Sequence, residues 1–339
     1  MGTGAMLYGL MGGTRLIVGC ASAVVLIATF NSLTFAQLVP GTGTVLNSDD
    51  FEDEAWNFVF NLPKSSKEED EQIRYPLGAS DNRKWSESPK RGTPDQVQRI
   101  ATPAGGITGS KGAMLIRSRD TGIPGQPMGK QCQDDFILNA RPVSIGYNPS
   151  FVVRVYLPEW SQWEQRHGVS FGIRAGMQGP QEKQEPTRGF KRLFGRGFET
   201  VKTNEPFYPG FFIQYNPKTA TSEAHGVLLV RADEMGRDIP AVNITTTGWW
   251  TFGMSVTSDG RCHYYAHAGV ADLSQADYIT STLPYGIQAT YFNTIFFNVC
   301  SADNGQNWST PWVIDDPMVF YGGQPTQYAQ QPGRSMNRR

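Results

Sequence analysis

The chain has 339 residues, enough for one large all-β domain or two ordinary domains. Its 37 Gly, 22 Pro and 12% aromatic residues, with only 18% charged residues, favour a turn-rich β fold over a helical one. The formal net charge of −1 excludes nucleic-acid binding driven by overall positive charge, so any electrostatic binding must come from a local patch.

The N-terminal residues 1–36 have the pattern of an export signal. Arg15 is the only charged residue there, Leu16–Phe30 is apolar, and small residues precede a cleavage site after Ala36. An uncleaved N-terminal anchor is the first alternative. A lipoprotein cleavage box ending at Cys20 is the second, and Arg15 leaves it too little apolar chain upstream. The pattern predicts a secreted, periplasmic or cell-surface protein, which would meet a membrane only if this segment stays uncleaved.

Export implies an oxidising compartment, where disulfides form. The chain after the signal holds Cys132, Cys262 and Cys300, an odd number. Cys262 and Cys300 both lie beside strong strand patterns, so they either pair across a sheet or act as small buried hydrophobes. A Cys-x-x-Cys pair, which would argue for metal or redox work, is absent.

Three segments outside the predicted strands differ in composition from the rest. Residues 37–47 form a Gly/Thr linker, and the polar residues 322–339 are predicted to be a disordered tail. Pro63–Arg99 is rich in mixed charges and is predicted to be a solvated excursion between two strands.

A ladder of short strands follows the excursion. Gly105–Ser118 is a turn followed by an alternating strand, and Thr257–Gly260 supplies an Asp-Gly hairpin turn. The other predicted strands are short, rich in β-branched and aromatic residues, and bounded by turn residues: Phe151–Leu157, Val169–Met177, Gly210–Tyr215, Gly226–Arg231, Trp249–Val256, Arg261–His267 and Tyr291–Val299.

Acidic residues open and close this ladder. The first group holds Asp50 and Glu52, and the second holds Asp315 and Asp316. Since the first and last strands of jelly-roll sandwiches commonly lie side by side, these carboxylates are predicted to gather at a seam. There they supply hard oxygen ligands for a structural Ca²⁺, or else they cap strand ends by accepting from backbone amides.

Three segments together resemble the concanavalin-A-like lectin/glucanase superfamily, which includes laminin-G-like and MAM-type domains. They are Asp50–Glu52, Trp249–Val256 running into Asp259-Gly260, and Ile314–Asp316. The resemblance covers residues 48–321. It implies an all-β, two-sheet antiparallel jelly-roll sandwich with long loop insertions, whose concave face in this superfamily often binds or cleaves polysaccharide.

Strand alternation predicts which side chains leave the core. If their strands are neighbours, six of them share one outer face: Arg154, Tyr156, Arg174, Gln214, His263 and Tyr265. Guanidinium groups bind carboxylate or sulfate, and tyrosine rings stack on sugars, so this face suits an acidic glycan. The alternative is the ordinary polarity of an exposed sheet face.

The first functional hypothesis is a secreted, non-catalytic domain that binds polysaccharide and no nucleic acid. The second is a polysaccharide lyase acting on a uronate, with His263 as base, Tyr265 as acid and Arg154 neutralising the carboxylate. The third is a structural envelope protein without a soluble ligand. A hydrolase is disfavoured because no predicted strand carries two acids on one face.

The segment Thr187–Thr200 interleaves basic and aromatic residues. Such a loop can bind a polyanion or an anionic membrane surface. The favoured alternative is that its aromatic rings pack on the sandwich while its cations face water.

Overall fold

The computed structural model describes residues 38–121, 133–186 and 198–322. Nineteen strands lie in these ranges: β1 Thr44–Ser48, β2 Phe58–Val59, β3 Ala79–Ser80, β4 Trp85–Glu87, β5 Gln96–Ala101, β6 Gly112–Arg117, β7 Gln133–Leu138, β8 Val143–Ser144, β9 Ser150–Leu157, β10 Gly168–Pro186, β11 Phe198–Phe207, β12 Gly210–Asn216, β13 His225–Arg231, β14 Ile239–Ile244, β15 Gly248–Val256, β16 Cys262–Ala268, β17 Tyr278–Thr282, β18 Tyr291–Cys300 and β19 Trp312–Tyr321.

Helical structure is short in the described ranges. The α-helix α1 spans Lys67–Asp70, and 3₁₀ turns span Ile145–Tyr147, Trp160–Gln162, Gln275–Asp277 and Pro284–Gly286. No helix in the described part of the chain is long and apolar enough to span a bilayer.

The strands form two antiparallel sheets. Within the described residues, sheet A has eight strands in the order β17-β16-β15-β9-β19-β6-β5, with β1 paired to β19. Sheet B has eleven, in the order β14-β13-β12-β10-β18-β7-β4-β3-β2, with β11 paired to β10 and β8 paired to β18. This architecture confirms the predicted all-β, two-sheet antiparallel sandwich.

Alternating side chains from the two sheets meet in one core. Phe151, Val153 and Val155 of β9 point inward from sheet A, and Phe171 and Ile173 of β10 point inward from sheet B. Because strand side chains alternate with period two, the residues between them point away from the core. The sandwich therefore has two outer faces, one on each sheet.

The predicted strands are all present, and several are longer than expected. The largest extension is in β10, predicted to end at Met177 and ending at Pro186. This extension pairs with β11 and forms a two-stranded ribbon. In its register Met177 lies opposite Phe207 at one end, and Pro186 lies opposite Phe198 at the other. The hairpin turn is also confirmed, since Gly260 has a φ of 85° and joins the antiparallel pair β15 and β16.

The prediction for Pro63–Arg99 was wrong. Lys64 is only 1% exposed, and its Nζ lies 2.8 Å from Asp134 Oδ2 and 2.9 Å from Asp95 Oδ1. The segment contributes β3 and β4 to sheet B, and its buried Glu87 accepts from the backbone N–H groups of Ser65 and Gly78. The excursion is therefore part of the folded sandwich.

Other expectations meet the structure only in part. Strand β1 begins at Thr44, inside the segment predicted as linker. Cys262 and Cys300 are free, buried thiols on different sheets, so of the two alternatives the buried thiols are confirmed and the disulfide does not form. The predicted export signal, Cys132, most of the basic Thr187–Thr200 segment and nearly all of the predicted tail lie outside the described residues.

Candidate functional site

The outer face of sheet B carries a row of buried and half-buried polar and aromatic side chains. The strand register places Arg174 of β10 beside Phe296 of β18 on one side and Gly210 of β12 on the other. Gly210 is in turn opposite Arg231 of β13. The arginine face is defined here as Arg174, Tyr208, Phe212, Arg231 and Phe296.

Arg174 is the centre of this face and is only 5% exposed. Its Nε and Nη2 both donate to the Tyr208 carbonyl oxygen, at 3.1 and 2.9 Å. Its guanidinium carbon lies 5.3 Å from the ring centre of Tyr208 and 5.4 Å from those of Phe212 and Phe296. Within the described ranges, no carboxylate lies at ion-pair distance from Arg174, and its Nη1 has no hydrogen-bond partner.

Burial lowers the pKa of Arg174 to about 10, and the neighbouring charge of Arg231 acts in the same direction. The guanidinium therefore stays charged at neutral pH. Burying a cation without a paired anion carries a large desolvation cost. The three rings recover part of it through cation–π contact.

Arg231 supplies a second guanidinium on the arginine face. Its guanidinium carbon lies 5.1 Å from the ring centre of Phe212, the ring that also contacts Arg174. Arg231 Nε donates to the Tyr285 hydroxyl at 3.3 Å and lies 3.5 Å from Asp238 Oδ1. Arg231 is a third exposed, so it brings positive charge closer to solvent than Arg174 does.

A buried amide and carboxyl flank the arginine face on the side of β7. Asn298 donates through Nδ2 to Asp135, and its Oδ1 has no partner in the described part of the chain. Burial raises the pKa of Asp135, although Arg91 and Arg174 oppose the shift. Gly172 separates Asn298 from Phe212. A Cβ there would lie 2.7 Å from Asn298 Oδ1 and 2.6 Å from the Phe212 ring, so only glycine fits.

The predicted six-residue face does not form. Arg174 and Gln214 lie on the outer face of sheet B, whereas the other four predicted residues lie in strands of sheet A: Arg154, Tyr156, His263 and Tyr265. Alternation predicted correctly that these side chains leave the core. It was wrong about their neighbours, because β9 and β16 flank β15 in sheet A while β10 and β12 pair in sheet B.

The sheet A residues of the lyase hypothesis are covered. Arg154 Nη2 donates to Asp272 Oδ1 at 2.7 Å. Tyr265 is fully buried, and Leu273 of the following loop belongs to the same apolar cluster. His263 Nε2 lies 2.9 Å from the Thr257 hydroxyl, and burial lowers the pKa of this histidine. Arg154 and His263 thus have side-chain partners of their own within the described residues, and Tyr265 packs in an apolar cluster.

The four acids predicted to bind Ca²⁺ lie near the seam where β1 pairs with β19, as expected of first and last strands. Glu52 Oε1 accepts from the backbone N–H groups of Lys111 and Gly112, at 2.7 and 3.2 Å, which lowers its pKa. Asp50 Oδ1 accepts from the Glu52 N–H at 3.2 Å. The acids thus cap backbone groups.

Asp315 and Asp316 complete the seam. Asp315 Oδ2 accepts from the Ser110 hydroxyl at 3.0 Å, and burial with the charge of Asp316 raises its pKa to about 7. Across the described ranges, no group of three or more His, Cys, Asp or Glu side chains is arranged to hold a metal ion. The described residues thus show no Ca²⁺ site among the four acids.

Several residues of this region were missed from the sequence. Asp135 lies in β7, which was not predicted as a strand, although Phe136 and Leu138 alternate in its short apolar run. Arg231 ends a predicted strand and was not weighed. Asn298 and Phe296 lie in a predicted strand. Both faces of that strand carry apolar residues, so alternation did not show which of its residues point outward.

No family model and no curated protein matches the chain. Among solved structures it is similar to a GH131 β-glucanase catalytic domain from Podospora anserina, with a TM-score of 0.39 and 14% identity, over 85% of this chain and 100% of that one. It is similar to an endo-β-1,4-glucuronan lyase from the fungus Trichoderma reesei, with a TM-score of 0.37 and 13% identity, over 82% and 95%.

Other similar structures are binding domains. The exoplasmic/lumenal domain of VIP36, in a Ca²⁺/Man3GlcNAc-bound form, has a TM-score of 0.34 and 11% identity, over 74% of this chain and 90% of that one. The chain spans about half (47%) of the botulinum neurotoxin serotype D binding domain, with 74% of this chain matched, a TM-score of 0.32 and 9% identity. TM-scores this low carry no argument about what this chain does.

Proposed function

We propose that this protein is a non-catalytic carbohydrate-binding domain that holds an acidic polysaccharide on the arginine face. One observation carries the proposal: Arg174 is a buried guanidinium with no carboxylate at ion-pair distance in the described part of the chain. Buried charges in folded proteins are normally paired. A carboxylate or sulfate of the ligand is the anion that this site lacks.

The surroundings of Arg174 suit a sugar acid. The Nη1 and Nη2 groups of one guanidinium can donate to two oxygens of the same carboxylate or sulfate. Phe212 and Phe296 supply apolar walls, and Arg231 supplies a second cation near solvent. Ligand sites typically combine apolar side chains with a few placed charges.

The contacts of the arginine face favour binding over cleavage. A lyase needs a group that removes a proton from the sugar, and Tyr208 is the tyrosine beside Arg174. Burial raises the pKa of Tyr208, although Arg174 opposes the shift, which keeps its phenol protonated at neutral pH. The lyase and the purely structural envelope protein are alternatives that the following experiment separates.

The experiment measures binding of the purified protein to polyuronates and sulfated polysaccharides. Arg174→Gln and Arg231→Gln should each weaken binding. Because a hydrogen bond to a charged group contributes about 1.5–3 kcal/mol, the loss for Arg174 should be about tenfold or more. Arg154→Gln is the matched control, a buried arginine on the opposite face, paired with Asp272.

Three outcomes would overturn the proposal. The first is that Arg174→Gln and Arg231→Gln each bind the polysaccharide as tightly as the wild type does. Near-ultraviolet circular dichroism checks that both variants are folded. The second is that the wild type releases unsaturated uronate, measured by its ultraviolet absorbance, and that Arg174→Gln does not. This result would make the protein a lyase. Absence of binding to every polymer would favour the structural envelope protein.

Export to the periplasm, cell surface or medium is part of the same proposal, because polysaccharides of this kind are found there. The proposal assigns no calcium to the arginine face. Binding should therefore be unchanged by a chelator, and a chelator-dependent loss of binding or stability would restore the seam acids as a calcium site.

A further inference from the structure

A second candidate site lies at the opposite end of β12 from Arg174. Gly210 at the start of β12 pairs with Arg174, whereas Tyr215 near its end pairs with Gly168. A cleft of about 470 Å³ opens beside Tyr215. Its lining includes Trp160, Gln165, Tyr215, Lys218, Glu223 and Thr245.

Stacked aromatic rings form one wall of this cleft. Trp160 lies nearly parallel to Tyr215, with ring centres 5.8 Å apart and an interplanar angle of 13°. Trp163 packs against both, at 4.8 and 4.9 Å, and its Nε1 donates to the Pro158 carbonyl at 2.8 Å. Trp163 and Tyr215 are buried, and Trp160 is half-buried. The core therefore holds Trp160 in place while part of its indole remains open to the cleft.

Polar groups around the indole are fixed by their own contacts. Gln165 Oε1 accepts from the Tyr215 hydroxyl at 3.3 Å, and Gln165 Nε2 donates to the carbonyls of Trp160 and Trp163 at 3.1 and 2.9 Å. Lys218 and Glu223 form an exposed 2.9 Å ion pair. These two are the charged residues of the lining, so the cleft carries no net charge.

We propose that this cleft binds a neutral pyranose unit of a glycan. A pyranose ring has an apolar C–H face that packs on an aromatic surface and hydroxyl groups around its rim. Trp160 receives the ring face. Lys218 donates to sugar hydroxyls, Glu223 accepts from them, and the Thr245 hydroxyl can do either. The cleft has no net charge, which distinguishes it from the arginine face. The cleft proposal does not depend on the proposal for the arginine face.

The test is a titration of the purified protein with neutral oligosaccharides of glucose, mannose and xylose, followed by tryptophan fluorescence and by calorimetry. We expect saturable binding that Trp160→Ala weakens about tenfold or more and that Trp160→Phe largely retains, since a smaller ring still offers an apolar face. Arg174→Gln should leave it unchanged, and Trp160→Ala should leave the binding of acidic polysaccharide unchanged.

This design separates failure of either site. No saturable binding to any neutral oligosaccharide would overturn the cleft proposal and leave the arginine face standing. Equal affinity in the wild type and Trp160→Ala would also overturn it. If Trp160→Ala is unstable, Glu223→Gln and Lys218→Met test the rim: they break an exposed ion pair without touching the core, and unchanged affinity in both would contradict the assigned hydroxyl contacts.

Discussion

Asp315 shows how a single side chain links this sandwich to pH. It is fully buried in β19, accepts from the Ser110 hydroxyl, and has a pKa of about 7 because burial and the charges of Asp316 and Glu52 disfavour its ionised form. The unfolded chain returns the carboxyl to an ordinary pKa of about 4. The folded state therefore binds this proton more tightly than the unfolded state.

Between about pH 4 and about pH 7 this difference destabilises the fold as pH rises, because ionising Asp315 costs more in the folded state. Asp315→Asn removes the titration. We expect the free energy of unfolding of the wild type to fall, relative to Asp315→Asn, as the pH rises through this window. Urea unfolding of both proteins across the window checks this, and parallel pH profiles would contradict it.

At the scale of elements, Lys64 attaches the segment before β3 and β4 to the edge of β7. Burial alone would lower the pKa of Lys64, but the charges of Asp134 and Asp95 outweigh it and raise the pKa. Asp134 also accepts from the Ser118 hydroxyl at 2.6 Å. The buried ion pair thus joins segments that are far apart in the sequence.

Lys64→Met should destabilise the protein by about 3–5 kcal/mol, because it leaves the buried Asp134 carboxylate without its cation. Lys84→Met is the control. Lys84 is partly exposed, and its Nζ lies 3.8 Å from Asp49 Oδ1, so its loss should cost about 0–1 kcal/mol. Chemical denaturation measures the free energy of unfolding of both variants. Equal losses would show that the buried Lys64 ion pair contributes no more to stability than the Lys84 pair does.

The sequence predicts elements better than it predicts partners. The bounds of β9, β12 and β15 follow from short β-branched and aromatic runs between turn residues, which are local signals. Lys64 was predicted to be solvated, because nothing near it shows that Asp134, 70 residues later, accepts its charge. Local composition does not encode such a contact.

At the scale of the whole molecule, the same limit explains the divided site. Alternation has a period of two within a strand and carries no information about the next strand. Arg154 and Arg174 therefore look alike in the sequence. The pairing of β9 with β15 and of β10 with β18, each between strands about 100 residues apart or more, places the two arginines on opposite sides of the sandwich.

An aromatic column ties the two sheets together. Trp312 of sheet A stacks on Phe171 of sheet B, with ring centres 4.6 Å apart, and Phe171 stacks on Phe297. Trp85 follows, 6.0 Å from Phe297 and stacked on Phe136 at 4.3 Å. Since these rings come from both sheets, the two sheets share one core.

Trp312→Ala should lower the free energy of unfolding by about 3–5 kcal/mol, since it opens a cavity in that column. Trp312→Phe should cost much less, because it refills most of the space and removes an indole N–H that has no partner in the described part of the chain. Both variants should unfold in one transition by fluorescence and circular dichroism. Two separate transitions would mean that the sheets unfold independently.

The ribbon of β10 and β11 has a consequence for how copies of this protein meet. Beyond the sheet, its backbone offers unpaired N–H and C=O groups at its edges in the described ranges, the arrangement on which strands of other molecules add. Lysine and glutamate side chains line it, with Lys183 2.7 Å from Glu205 and Lys202 3.4 Å from Glu182. An incoming strand would have to displace or desolvate these charges, so the ribbon can extend into solvent without becoming a starting point for aggregation.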